Sequence, residues 1–245
     1  MNAIATTYFH VDMALCSLSD EGLVLKILIT GFEPFGGETL NPSWEVAQML
    51  HGQHIHGVHV VAEKLPCVFS KSLDALSKAI HLHQPVAVVA LGQADGRSDF
   101  SIERVAINVC DARIPDNEGA QPIDEPVVAH GPAAYFSSLP IKKMATALKA
   151  QGFPAAISQT AGTFVCNQVF YGLQHALAGK GVLSGFVHVP LMPIQAAMRS
   201  GASLASMSTE TLKEAVLCAL EVMVLHLQQG GTDAKDAKVQ MGATH

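Results

Sequence analysis

"LVLKILITG", Leu23 to Gly31, is the stretch on which the reading of the fold turns. From Leu23 to Ile29 only Lys26 is polar, and nothing alternates. A run of that kind reads as a strand covered on both faces, as in a parallel sheet, and Thr30-Gly31 ends it. Working outward, Asn41-Pro42-Ser43 opens a helix: Asn41 caps it, and Pro42 suits a first turn where no amide partner is lost. Val58 to Ala62 reads as a second strand. Ser70 is placed to cap a helix with Leu73, Leu76 and Ile80 on one face. Val86 to Leu91 is a third strand, closed by Gly92. Strand and helix in alternation make an α/β sandwich with a mostly parallel sheet.

The remainder keeps that rhythm. Arg104 to Val109 reads as a further strand, and 111–140, rich in Asp, Pro and Gly, as a long functional or mobile connection. Ile141, Met144, Ala145 and Leu148 have helical spacing, closed by Gly152. Ala155 to Gln159 and Phe186 to Val189 are strand candidates. The last helix starts near Ser208 and buries Leu212, Ala215, Val216, Ala219, Leu220 and Met223. Residues 23–229 are thus expected to form one domain, with 1–22 an N-terminal extension and 230–245 a disordered tail. The extension carries Asp12 and lacks a basic start, so it makes a poor signal peptide. No apolar run reaches the ~18 to 20 residues of a membrane helix. A net charge of -6, with scattered Lys and Arg, argues against nucleic acid as a partner. Five cysteines without a CxxC pair favour a reducing compartment over a disulfide framework or structural zinc.

Ligands in such folds gather at the carboxyl ends of strands, so the loops after Ile29, Leu91 and Val189 should share one crevice. Cys166 follows a polar, turn-prone run and sits at the amino end of a helix over Asn167 to Leu177. The open amides there favour a thiolate, the attacking form. Position alone leaves an inert buried cysteine equally open for Cys166, and that is the reading for Cys16, Cys110 and Cys218. A thiol nucleophile needs a histidine to take and return its proton. His188 ends an apolar strand before Pro190, at the crevice edge. His175 lies inside a helix and reads as a surface residue. His51, His54, His56 and His59 lack a carboxylate or cysteine partner at metal-ligand spacing and read as a solvated strand edge. Glu103, opening "ERVAINV", can sit beside the crevice and orient the imidazole, although a capping or surface role is the default for a glutamate there.

The segments "GFEPFGGETLNPSWEVA", "LGQADGRSDFSIERVAIN", "DARIPDNEGAQPI", "SQTAGTFVCNQVFYGL" and "GFVHVPLMP" resemble the pyrrolidone-carboxylate peptidases, or pyroglutamyl-peptidases I, from about Leu25 to the last helix. The resemblance implies a three-layer α/β/α sandwich around a twisted sheet, a cytoplasmic homotetramer, and neither a metal nor an organic cofactor. It implies a cysteine peptidase that hydrolyses an N-terminal pyroglutamyl residue from peptides through a Glu103, Cys166, His188 triad and a thioester. Membranes are not expected partners. A lactam has no charged amine, so its site must pair an apolar box with a few hydrogen-bonding groups. Phe32, Phe35, Phe164 and Val165 lie at the crevice, and the family's aromatics at the positions matching Phe32, Phe35 and Phe164 imply a ring pocket. Gln93 resembles the lactam reader, and Arg113 resembles an arginine that supports the oxyanion. Arg97 is a further crevice candidate. Two positions depart from the family: Asp95, where glycine is frequent, adds a negative charge, and Cys67 replaces a frequent threonine. Two other readings are a nucleoside-phosphorylase-like enzyme on a similar sandwich, although no phosphate loop is present, and a non-catalytic peptide binder.

Overall fold

Lys26–Phe32 forms the central strand β1, and its alternate residues go to opposite sides. Ile27 and Ile29 enter one core, Leu28 and Phe32 the other, which is why the run shows no polar face. In this computed structural model residues 24–199 and 204–242 are described; the reading of residues 1–22, Cys16 included, lies outside them. After β1 come α1 (Pro42–Leu50), β2 (His54–Ile55), β3 (Val58–Leu65), α2 (Ser72–His83), β4 (Ala87–Gln93), β5 (Phe100–Glu103), β6 (Val105–Ile107) and β7 (Ala134–Phe136). Then follow α3 (Ile141–Ala150), β8 (Ala155–Ser158), α4 (Val165–Leu177), β9 (Leu183–Val189), α5 (Pro193–Met198) and α6 (Thr209–Gln228). Among the described residues no helix is long and apolar enough to cross a membrane.

The main sheet has seven strands in the order β2-β3-β1-β4-β9-β5-β8. The pairs β3–β1, β1–β4, β4–β9 and β5–β8 are parallel, while β2–β3 and β9–β5 are antiparallel. Helices α1, α3 and α6 cover one face, and α2 and α4 the other. The fold is therefore the expected α/β/α sandwich with a mostly parallel sheet.

Local chemistry fixes the entry to α1. The Asn41 side chain accepts from Ser43 N at 3.1 Å, and Phe32 N donates to Ser43 Oγ at 3.0 Å. A Cβ at Gly31 would lie 2.5 Å from the Ser43 backbone, so the end of β1 meets the helix start only through glycine.

Three local readings differ from the sequence expectation. α2 starts at Ser72, not behind a Ser70 cap; Lys71 holds the cap position without a side-chain bond, and Ser72 Oγ instead donates to Gln168 Oε1 on α4 at 2.9 Å. The strand expected over Arg104 to Val109 is shortened, and a separate strand not expected from the sequence precedes it. Phe100–Glu103 joins the main sheet, whereas Val105–Ile107 leaves it for a two-stranded ribbon with β7. Asn167 draws the chain away: its Oδ1 accepts from Ile107 N, and its Nδ2 donates to Ile107 O and Val109 O. Beyond Gly230, where the sequence has no periodicity, the Asp236 carboxylate accepts from Lys142 N at 2.9 Å and Lys143 N at 3.0 Å. It thereby caps α3, whose own cap residue, Pro140, offers no acceptor.

Candidate active site

Parallel pairing of β1, β4 and β9 puts their carboxyl ends on one edge of the sheet, and the loops after them adjoin: Ala94 N donates to Val189 O at 3.0 Å, and Arg199 contacts both Asp95 and Glu38. Gly92 is the register partner of His188, and Gln93 of Val189. Strand β5 runs the other way, with Ser101 opposite His188. Glu103, two residues on and so on the same face, lies on the diagonal from His188. It is the last residue of β5 rather than the first of a new strand. His188 Nδ1 donates to Glu103 Oε1 at 2.7 Å; the carboxylate is fully buried and the imidazole nearly so. The Phe186 ring centroid lies 4.9 Å from that of His188.

Cys166 is the second residue of α4 and is half-buried. The helix cap, Phe164, has no side-chain acceptor for the first-turn amides, and no acid lies in that turn. A Cβ at Gly92 would come within 3.0 Å of Cys166 Sγ and 2.7 Å of the Phe186 ring. The sulfur thus occupies the space left by the missing side chain of Gly92, next to the strand position of His188. The helix is tied down by the buried amide of Asn167, whose three bonds to β6 and the loop beyond it were not anticipated from sequence. Asn167→Ala is expected to lower unfolding stability by about 3 kcal/mol, since it strands three partly buried backbone groups. Urea unfolding followed by circular dichroism checks this value.

Burial, reinforced by the nearby Glu103 charge, pushes the Cys166 thiol up to about 12, against the opposing effects of Arg97 and the residue's own N–H. The expectation that the helix end would lower it is therefore reversed: desolvation outweighs the open amides. Burial likewise moves His188 below 6.5, although its bond to Glu103 pulls the other way. Both directions favour the uncharged forms, with the proton on sulfur.

The remaining candidates fall into three groups. Phe35 and Phe164 meet at 6.0 Å between centroids, and Phe69, not singled out in the sequence, packs edge-on to Phe164 at 5.3 Å. Phe32 and Val165 are core residues, with Phe32 against Phe186 at 6.3 Å. Gln93 is buried, and its Oε1 accepts from Gln195 Nε2 at 3.0 Å. Gln195 is held in turn through its Oε1 by Met192 N. It stands on α5, a six-residue helix too short for periodicity to reveal.

Of the arginines, Arg113 is exposed and makes no hydrogen bond or ion pair among the described residues, whereas Arg97 donates to Glu103 Oε1 at 2.7 Å. The charge of Asp95 is matched: Arg199 contacts it and also Glu38, the latter at 2.8 Å. Cys67 is buried, its thiol raised by desolvation, and its N–H donates to Glu33 Oε1 at 3.0 Å. Burial also raises the Cys110 thiol, to about 11, and that of Cys218. His175 is exposed and bonded to Tyr135 Oη, while His51 Nδ1 accepts from Ala62 N at 3.0 Å.

Comparison with known proteins gives one family throughout. The pyroglutamyl peptidase family model matches residues 25–226. The pyrrolidone-carboxylate peptidase of Klebsiella pneumoniae strain 342 is 54% identical over 220 residues, covering 89% of this chain and 99% of the relative. That of Cupriavidus pinatubonensis is 52% identical over 212 residues, covering 84% and 97%. The crystal structure of Bacillus amyloliquefaciens pyroglutamyl peptidase I superposes with a TM-score of 0.79 at 45% identity, covering 82% of this chain and 98% of that one. A mutant pyrrolidone carboxyl peptidase from the hyperthermophile Pyrococcus furiosus gives 0.81 at 46% identity, covering 83% and 100%. The family match spans Glu103, Cys166 and His188, and the chain belongs to the pyroglutamyl peptidase family.

Proposed function

We propose that the protein removes an N-terminal pyroglutamyl residue from peptides, with Cys166 as nucleophile, His188 as general base and acid, and Glu103 as the group that orients the imidazole. The observation that carries this reading is the buried Glu103–His188 contact of 2.7 Å, with the Cys166 sulfur over Gly92, the strand neighbour of that histidine. The Nδ1–H bond to the carboxylate leaves Nε2 as the acceptor, the tautomer a base requires.

Because thiol and imidazole are both neutral at rest, the proton moves to His188 as sulfur attacks the pyroglutamyl carbonyl, rather than in a preformed ion pair. The backbone N–H of Cys166, in an uncapped first turn, faces the developing oxyanion. Arg113 supports it from a loop bound to the segment before the nucleophile: Asp111 N donates to Thr163 O at 3.0 Å, and Thr163 Oγ1 to Asp111 O at 2.6 Å. His188 then gives its proton to the departing amine. Water, deprotonated by the same histidine, adds to the thioester carbon, and the C–S bond breaks to release pyroglutamate and the thiol.

Phe35 and Phe164 box the lactam ring, with Phe32 and Val165 in the core behind them. Gln195 holds Gln93 by donating to its Oε1, and the Gln93 Nε2 hydrogens, without a partner among the described residues, donate to the lactam carbonyl. The reading extends to a cytoplasmic homotetramer without cofactor, whose mass sedimentation would give. Its chemistry is tested with fluorogenic pyroglutamyl and prolyl amides between pH 4.5 and 9. Turnover is expected for the pyroglutamyl amide alone, with kcat/KM falling as pH drops through a value below 6.5, where His188 gains a proton and ceases to be a base. Equal turnover of both amides, or an acid limb above pH 7, contradicts the reading.

A further inference from the structure

Glu103 Oε1 accepts two donors, His188 Nδ1 and Arg97 Nη1, each at 2.7 Å, while Oε2 is buried without any partner among the described residues. The other arm of the same guanidinium, Nη2, donates to Thr160 O at 3.0 Å. Thr160 begins the turn that delivers α4: its Oγ1 accepts from Gly162 N at 3.1 Å, and Gly162 takes a φ of 75° just before the residues leading to Cys166. One side chain, from the loop between β4 and β5, therefore touches both the carboxylate behind the imidazole and the backbone in front of the sulfur. We propose that Arg97 is a positioning residue for the reaction: it supplies the countercharge to Glu103 and fixes the approach of the Cys166 turn to His188.

An arginine 27% exposed would be a negligible partner for a surface acid, but Glu103 is completely buried. A carboxylate in that setting is costly unless paired, and the neutral imidazole brings no charge. The planar fork also matters, since its two arms reach two separate acceptors at once. A lysine keeps the charge and loses that geometry. Arg97 further lowers the proton affinity of both Cys166 and His188.

The inference rests on the Glu103–Cys166–His188 reading, and the test separates the two. The full chain, Arg97→Gln, Arg97→Lys and Cys166→Ser are assayed for kcat and KM against pH on a pyroglutamyl amide. Arg97→Gln is expected to lose about tenfold or more in kcat with KM within about threefold. Its acid limb should move to higher pH, because His188 then holds its proton more firmly beside Glu103. Arg97→Lys should keep the wild-type limb and lose several-fold in kcat. A wild-type limb and kcat in Arg97→Gln, or a loss confined to KM, overturns the proposal. Should Arg97→Gln fail to fold, Arg97→Lys decides alone: reduced kcat with an unmoved limb supports the proposal, and wild-type kcat overturns it. Full activity in Cys166→Ser would instead remove the nucleophile reading beneath it.

Discussion

Cys166→Ser is expected to lower kcat on a pyroglutamyl amide by a factor on the order of 10⁴, with little change in stability. The substitution keeps the shape of the turn and removes only the sulfur. A hydroxyl holds its proton far more tightly than a thiol, and the wild-type thiol is already raised to about 12 by burial. His188, itself below 6.5, is a weak base and has little reserve for that harder transfer. Stopped-time fluorescence with active-site titration reads the loss. Retention of more than about a tenth of wild-type kcat would mean that another group attacks the carbonyl.

Gly92→Val is expected to have the next largest effect, through packing alone. The first added atom would meet the Phe186 ring at 2.7 Å and Cys166 Sγ at 3.0 Å. Phe186 cannot easily retreat, because its ring is hemmed by Phe32, Phe170 and His188. The sulfur is the freer partner and should be displaced from the position of His188. A shift of about 1 Å in such an alignment costs on the order of 100-fold in kcat. Overpacking beside Phe186 should also cost about 2 kcal/mol of stability. Paired kinetics and thermal unfolding check this, and a wild-type kcat would show that the sulfur does not depend on that gap.

The parts of this molecule that were legible in its sequence are those governed by local rules. β1 and β4 announced themselves as nearly unbroken apolar runs because both faces are covered. α1 announced itself through Asn41 and Pro42, and α3 and α6 through helical spacing. Cys166 and His188 were marked by position, one at a helix start and one at a strand end. What stayed hidden depends on partners remote in the chain. Nothing local in "DFSIERVAINV" says that one strand ends at Glu103 and another leaves the sheet after Arg104; the departure is imposed by the Asn167 amide, sixty residues from its partner Ile107. The antiparallel entry of β5 beside β9, which lines Glu103 up with His188, is likewise a matter of topology. The helix-end argument for a lowered thiol was sound locally and lost to burial, a quantity that a sequence does not display. Arg97 and Arg113 were indistinguishable as types. Only coordinates show the first on Glu103 and the second in solvent.

The central claim, that one sulfur does the chemistry, is tested most directly by labelling the wild-type chain with a pyroglutamyl chloromethyl ketone and mapping the adduct by peptide mass spectrometry. One adduct per chain on Cys166, blocked by a pyroglutamyl aldehyde and absent in Cys166→Ser, is the predicted result. Modification of Cys67, or inactivation with Cys166 left free, would contradict it.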